Sequence, residues 1–106
     1  MSNQEFTRVA EAEQLQQGKT MRVELQGREV LLCRTAEGVF AVDNLCTHGA
    51  ARLWEGKLKG HRLLGPMHGA AFDVRDGSAL TRTAGRALAS HAVRVEGADI
   101  LIAVSD

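Results

Sequence analysis

Apolar and polar residues alternate along much of this chain with the two-residue period of a half-buried β-strand. Residues 20–25 show it best, with Met21, Val23 and Leu25 on one face and Thr20, Arg22 and Glu24 on the other. Residues 6–10 start a shorter strand before it, and residues 11–18 read as a polar connection or a single helical turn. Strand-like runs follow at 29–34 and 39–43, then on either side of a Lys59-Gly60 turn signal within 56–64, and at 70–74. Residues 87–89, 91–96 and 99–104 complete the series. Between the runs stand Gln26-Gly27, Glu37-Gly38, Asp76-Gly77 and Gly97-Ala98, short gaps in which glycine can take the positive φ of a tight hairpin turn. Short strands at even spacing with no amphipathic helix predict an all-β fold, an antiparallel β-sandwich or barrel. Its strands are expected to bury Val23, Leu25, Val30, Leu32, Phe40, Val42, Val93 and Ile100.

Two glycine-rich stretches break the alternation, and they carry the candidate chemistry. Cys46-Thr47-His48 places a thiol and an imidazole one residue apart, and Gly65-Pro66-Met67-His68 adds a second imidazole. Thiolate and neutral imidazole together suit zinc, copper or an iron–sulfur centre. Glycines in both stretches let backbone approach a ligand closely. The position three before His68, where a fourth ligand would balance Cys46, holds Gly65, so the chain offers three donors and a gap. Read as unrelated core or surface residues, Cys46, His48 and His68 would leave that spacing without a reason. The loops are expected to form a small metal subdomain at one end of the scaffold. Cys33 lies on a strand pattern and is expected to be a small buried hydrophobe. His61 and His91 sit in strand patterns without neighbouring donors and are expected at the surface. Leu45, Leu53 and Trp54 serve either as apolar contacts for a redox partner or as packing for the loops.

Composition narrows the function. A chain of 106 residues is read as one domain, spanning 1–106, with cluster-binding loops at about 44–72. Lys and Arg balance Asp and Glu at 13 each, so no basic surface argues for nucleic acid. Phe6, Phe40, Phe72 and Trp54 are the only aromatics, too few for a base-stacking platform. The polar N-terminus has no apolar signal region, and no apolar run approaches the length of a membrane span. The expectation is a soluble, cytoplasmic protein in a reducing compartment, without a disulfide between Cys33 and Cys46. No group suggests chemistry on a substrate.

The residues together resemble the Rieske proteins, in particular the soluble Rieske ferredoxins of bacterial aromatic-ring dioxygenases. That family pattern is Cys-x-His, a gap of some 15 to 17 residues, then Cys-x-x-His, Gly, a short apolar step and Phe-Asp. Residues 46–50 match the first box and residues 66–73 most of the second, while 39–44 and 93–100 resemble the family's flanking strands. The resemblance implies a [2Fe–2S] cluster with Cys46 on the inner iron and His48 and His68 on the outer one. Its second thiolate would come from position 65, which is Gly65, so the cluster is complete only if another ligand substitutes, and is otherwise absent or altered. Ala51 and Met67 stand where the high-potential respiratory proteins carry a disulfide clamp, and Phe72 where they often carry Tyr. Both features imply the low-potential ferredoxin type. Thr83 is the nearest match to a proline common in the family's third loop. The implied function is one-electron carriage between a ferredoxin reductase and a terminal oxygenase or similar redox proteins, as a component that is not an enzyme by itself. The alternative is a degenerate Rieske fold, clusterless or holding one metal ion on Cys46, His48 and His68, that acts as an accessory or interaction subunit. The small subunit of an assimilatory nitrite reductase does this within the resembled family.

Overall fold

Period-two alternation becomes two antiparallel sheets in the computed structural model, which describes residues 5–44, 53, 56–65, 70–81 and 86–104. The strands are β1 (Thr7–Glu11), β2 (Thr20–Leu25), β3 (Arg28–Thr35), β4 (Gly38–Asp43), β5 (Lys57–Lys59), β6 (Arg62–Leu64), β7 (Ala71–Asp73), β8 (Ser90–Glu96) and β9 (Asp99–Ala103). The larger sheet runs β1-β9-β8-β4-β3-β2 and the smaller β5-β6-β7. Its two edge strands, β1 and β2, also touch, so the larger sheet curls into a nearly closed barrel. One 3₁₀ turn, Ala12–Gln14, fills the connection after β1. The all-β expectation holds.

Hairpin turns set the register. Between Leu25 and Arg28, which pair, Gln26 has φ 56° and Gly27 φ 75°. Positive φ at both central positions is the type I′ geometry, whose twist matches that of the strands it joins. The Gly97-Ala98 turn closes β8 onto β9, with Glu96 opposite Asp99. Asp76-Gly77 behaves differently. Gly77 donates its N–H to the Asp73 carbonyl at 2.6 Å, and the return segment makes one isolated bridge, Phe72 to Ala79, in place of a strand. Residues 87–89 are not a strand either. Leu88 donates to the Gly77 carbonyl and Ala89 accepts from Asp43, so this segment bonds to a turn and to a strand end and joins no ladder until Ser90.

β3 is buried on both faces. Val30 and Leu32 point into a core with Ala10, Leu15, Ala41, Ile100 and Ile102 inside the barrel. Leu31 and Cys33 point the other way, into a second core with Val42, Leu53, Leu63, Ala70, Phe72, Val74 and Leu88. The second core glues the small sheet to the large one. Of the residues expected inside, Val30, Leu32, Val42 and Ile100 are fully buried. Val23, Leu25, Phe40 and Val93 are partly buried against one core or the other.

One charged group is anchored in the small sheet. The nearly buried Asp73 carboxylate accepts from Arg75 Nη2 at 2.8 Å, from Arg75 Nε at 3.0 Å and from the Arg75 amide at 2.9 Å. The Arg75 guanidinium holds the Asp73 pKa at about 2, below its ordinary 3.8; burial opposes this, and the Arg75 amide and the His61 charge assist. A carboxylate with a depressed folded pKa stabilises the fold fully above its unfolded pKa, and that contribution fades as pH falls through the folded value. Asp73→Asn is therefore expected to flatten the acid dependence of stability between about pH 4 and pH 2. Because Arg75 is half-exposed, the effect should be about 1 kcal/mol. Urea unfolding midpoints of parent and variant across that window check it.

Candidate functional site

β4 delivers the chain to the first candidate loop through Asp43 and Asn44. Asn44 is fully buried and ties the end of β4 both to the neighbouring strand and to Leu53. Its amide donates to the Glu29 carbonyl at 3.2 Å, and its side-chain Nδ2 donates to Glu29 Oε1 at 3.0 Å. Its carbonyl accepts from the Leu53 amide at 2.6 Å. That bond pinches residues 44 and 53 together, so the segment between them leaves and returns at one place. Asp43 is fixed as firmly. His91 Nε2 donates to Asp43 Oδ1 at 2.8 Å, and the Arg28 guanidinium reaches the same carboxylate at 3.3 Å. The side chain of His91 has no exposed surface. His91 is thus no surface residue. Its alternation places it inward on β8 opposite Ala41 of β4, and the Asp43 carboxylate, two residues further along β4, accepts from its ring, so burial costs little. His61 stays partly exposed in the Gly60-His61 turn, 3.8 Å from Asp73.

The second candidate loop springs from the central strand of the small sheet. Leu64 pairs with Ala71 and with Lys57, so one step further along the ladders Gly65 stands between Ala70 and Gly56. Its amide donates to the Ala70 carbonyl at 2.7 Å, which closes the hairpin over residues 66–69. A third segment leaves from Thr81, whose Oγ1 accepts from the Ala71 amide at 3.1 Å. Leu53, Gly65, Ala70 and Thr81 therefore bring the bases of the three segments close together. Leu53 is fully buried there, which assigns it to packing. Leu45, Trp54, Gly49, Gly69, Ala51, Met67 and Thr83 lie outside the described residues, as do the three donors Cys46, His48 and His68.

Position 65 lies within them, and it decides whether the donors fit a four-ligand cluster. Gly65 has no side-chain donor, and its backbone lies outside the left-handed region. Built as an alanine, its Cβ would sit 3.5 Å from the Ala70 carbonyl oxygen, 3.6 Å from Ala70 Cβ and 3.6 Å from Leu53 Cδ2, all ordinary contacts. The described neighbours leave room for a β-carbon at 65. Cys33, the other cysteine, does not stand in for it. Its thiol is buried, with Sγ 3.9 Å from the Leu31 carbonyl, and burial pushes its pKa up to about 12, far from the thiolate that iron needs. Among the described residues no three His, Cys, Asp or Glu side chains gather as a metal site. One thiolate and two imidazoles do not complete the two-thiolate, two-imidazole set of such a cluster.

Known proteins match this arrangement over nearly its whole length. The ferredoxin component of the naphthalene 1,2-dioxygenase system of Pseudomonas aeruginosa is 35% identical over 92 residues, covering 87% of this chain and 88% of that protein. The ferredoxin of carbazole 1,9a-dioxygenase from Nocardioides aromaticivorans superposes with a TM-score of 0.90 at 31% identity, covering 94% of this chain and 98% of that one. A chain from the complex of reduced oxygenase and oxidised ferredoxin in carbazole 1,9a-dioxygenase gives a TM-score of 0.88 at 31% identity, covering 95% and 94%. Residues 5–100 match the Rieske [2Fe–2S] domain, and the chain belongs to that family.

Proposed function

We propose that this chain is a Rieske-type ferredoxin component, a one-electron carrier between a reductase and a terminal oxygenase, whose own side chains supply three of the four cluster ligands. The observation that carries the proposal is the end-to-end match to ferredoxin components in both sequence and fold. On this reading Cys46 serves the inner iron, and His48 and His68 serve the outer one. A Rieske cluster supplies a one-electron couple, and imidazole in place of thiolate raises its potential. The chain's own part is to hold the loop bases: Asn44 to Leu53 for the first, Gly65 to Ala70 for the second. Leu53, Ala70 and Phe72 pack beneath them and keep water from the inner side. The oxygenase would meet the loop end, as a partner of the kind seen with the carbazole ferredoxin. No helix of the described residues is long and apolar enough to cross a membrane, and the free, buried thiol of Cys33 suits the reducing cytoplasm. The protein works as an electron-transfer component and does no chemistry on a substrate.

Gly65 favours a second reading, in which Cys46, His48 and His68 hold a single zinc or iron with water, or hold nothing, and the fold acts as an accessory subunit. Iron and acid-labile sulfide counts on anaerobically purified protein separate the two. The protein found to carry both, whether the parent or the residue-65 variant described below, is then mixed with a reduced ferredoxin reductase. Electron carriage predicts reduction of its visible absorbance and reoxidation on adding a Rieske-type oxygenase. A loaded protein that accepts no electron sinks the carrier reading.

A further inference from the structure

We infer that Gly65 is the single point at which this chain falls short of a complete cluster cradle, and that a thiolate placed there would complete it. The inference rests on the Rieske reading above and deepens it. Three observations support it. First, position 65 continues β6 in register, so its side chain shares the inward face with Leu63, two residues back, and leans toward Leu53 and Ala70. Leu53 closes the first loop and Ala70 the second, so a group on the 65 α-carbon stands where the two loops meet. Second, the backbone there is ordinary. It makes the hairpin bond to Ala70 and needs no left-handed φ, so a β-carbon brings no backbone strain. Third, the described atoms nearest a β-carbon at 65 belong to Leu53 and Ala70, and neither side chain has a donor to offer iron.

Gly65→Cys would add a thiol that, once deprotonated, joins Cys46, His48 and His68 to make the two-thiolate, two-imidazole set such a cluster takes. The step gives up one proton and changes no oxidation state. Parent, Gly65→Cys and Gly65→Ala are purified anaerobically, incubated with ferrous iron and sulfide, and desalted into a chelator. Changes in groups that merely orient ligands cost about 10–100-fold in metal affinity, so gain of a direct ligand should improve iron and sulfide retention by at least about tenfold. Gly65→Cys should show more iron and sulfide in matched amounts, stronger visible absorbance and a stronger Rieske-type EPR signal on reduction than the parent. Gly65→Ala should fold like the parent and remain as poorly loaded. The inference is overturned if the parent retains as much cluster as Gly65→Cys, or if Gly65→Cys folds and loads no better than Gly65→Ala. It is also overturned if Gly65→Cys fails to fold while Gly65→Ala folds. A Gly65→Cys protein that loads fully yet accepts no electron from a reductase would instead sink the carrier reading and leave the ligand assignment standing.

Discussion

Phe72→Ala is expected to remove about 3–5 kcal/mol of stability, the range for deleting a large aromatic from a core that cannot collapse around the hole. Phe72 is the largest fully buried side chain among the described residues and packs with Leu31, Cys33, Leu53, Leu63 and Leu88. Those neighbours come from both sheets, from the base of the first loop and from the segment before β8, and Leu31, Cys33 and Leu63 cannot shift inward without disturbing a ladder. Folded domains have only about 5–15 kcal/mol in total, and such a loss should lower the thermal midpoint by about 15–30 °C. Val95→Ala provides the contrast, because Val95 is 48% exposed on β8 and its truncation should cost within about 0.5 kcal/mol. Both are read from urea unfolding of metal-free protein, so that ligand binding does not enter. Equal midpoints for the two variants would show that the small sheet is not joined to the barrel through this core.

How much of this was legible follows from element length. β2 and β8 are six and seven residues long, and their alternation of apolar and polar positions in the sequence predicts both strands. β4 and β9 are read as apolar runs bounded by turn glycines. β3 is also long, but Val30, Leu31, Leu32 and Cys33 are all buried, which erases the period and hides that one strand feeds two cores. β5, β6 and β7 have three residues each, too few for a period, so the inward roles of Leu63, Phe72 and Val74 could not be read from spacing. Turn chemistry was legible at Gly27 and Gly97, where positive φ is required. At Gln26 it was not, since nothing but the paired geometry of Leu25 and Arg28 demands φ 56° of a glutamine. His91 was misplaced at the surface because its partner Asp43 is 48 residues away. Asn44 went unremarked for the same reason, since Glu29 and Leu53 satisfy it only after β3 and β4 have paired. The missing donor at Gly65 was plain in the sequence. That the space for it persists is a property of Leu53 and Ala70 in three dimensions.

Gly56→Ala should combine a large loss of stability with a specific effect at the loop bases. Gly56 stands opposite Gly65 one step beyond the Lys57–Leu64 pair, and its amide donates to the Leu53 carbonyl at 2.9 Å. A β-carbon at residue 56 would collide with the Leu64 carbonyl oxygen and come within 3.3 Å of the Gly65 carbonyl carbon. Neither obstacle is a flexible side chain, so relief requires β5 and β6 to move apart. Overpacking of this kind typically costs about 1–3 kcal/mol and occasionally more, and the involvement of backbone on both sides puts this case at about 3 kcal/mol. The same displacement carries Gly65 away from Leu53, the contact through which the second loop base meets the first. In a Gly65→Cys background, Gly56→Ala should therefore reduce iron retention by more than its stability cost explains. Comparison with a destabilised control, Gly65→Cys with a trimmed Ile100 in the barrel core, separates the two effects. At matched unfolding midpoints the Gly56 double variant should release iron to chelator about tenfold faster, the lower end of what displaced ligand supports cost. Equal release from both would mean that the spacing between β5 and β6 does not govern the loop bases.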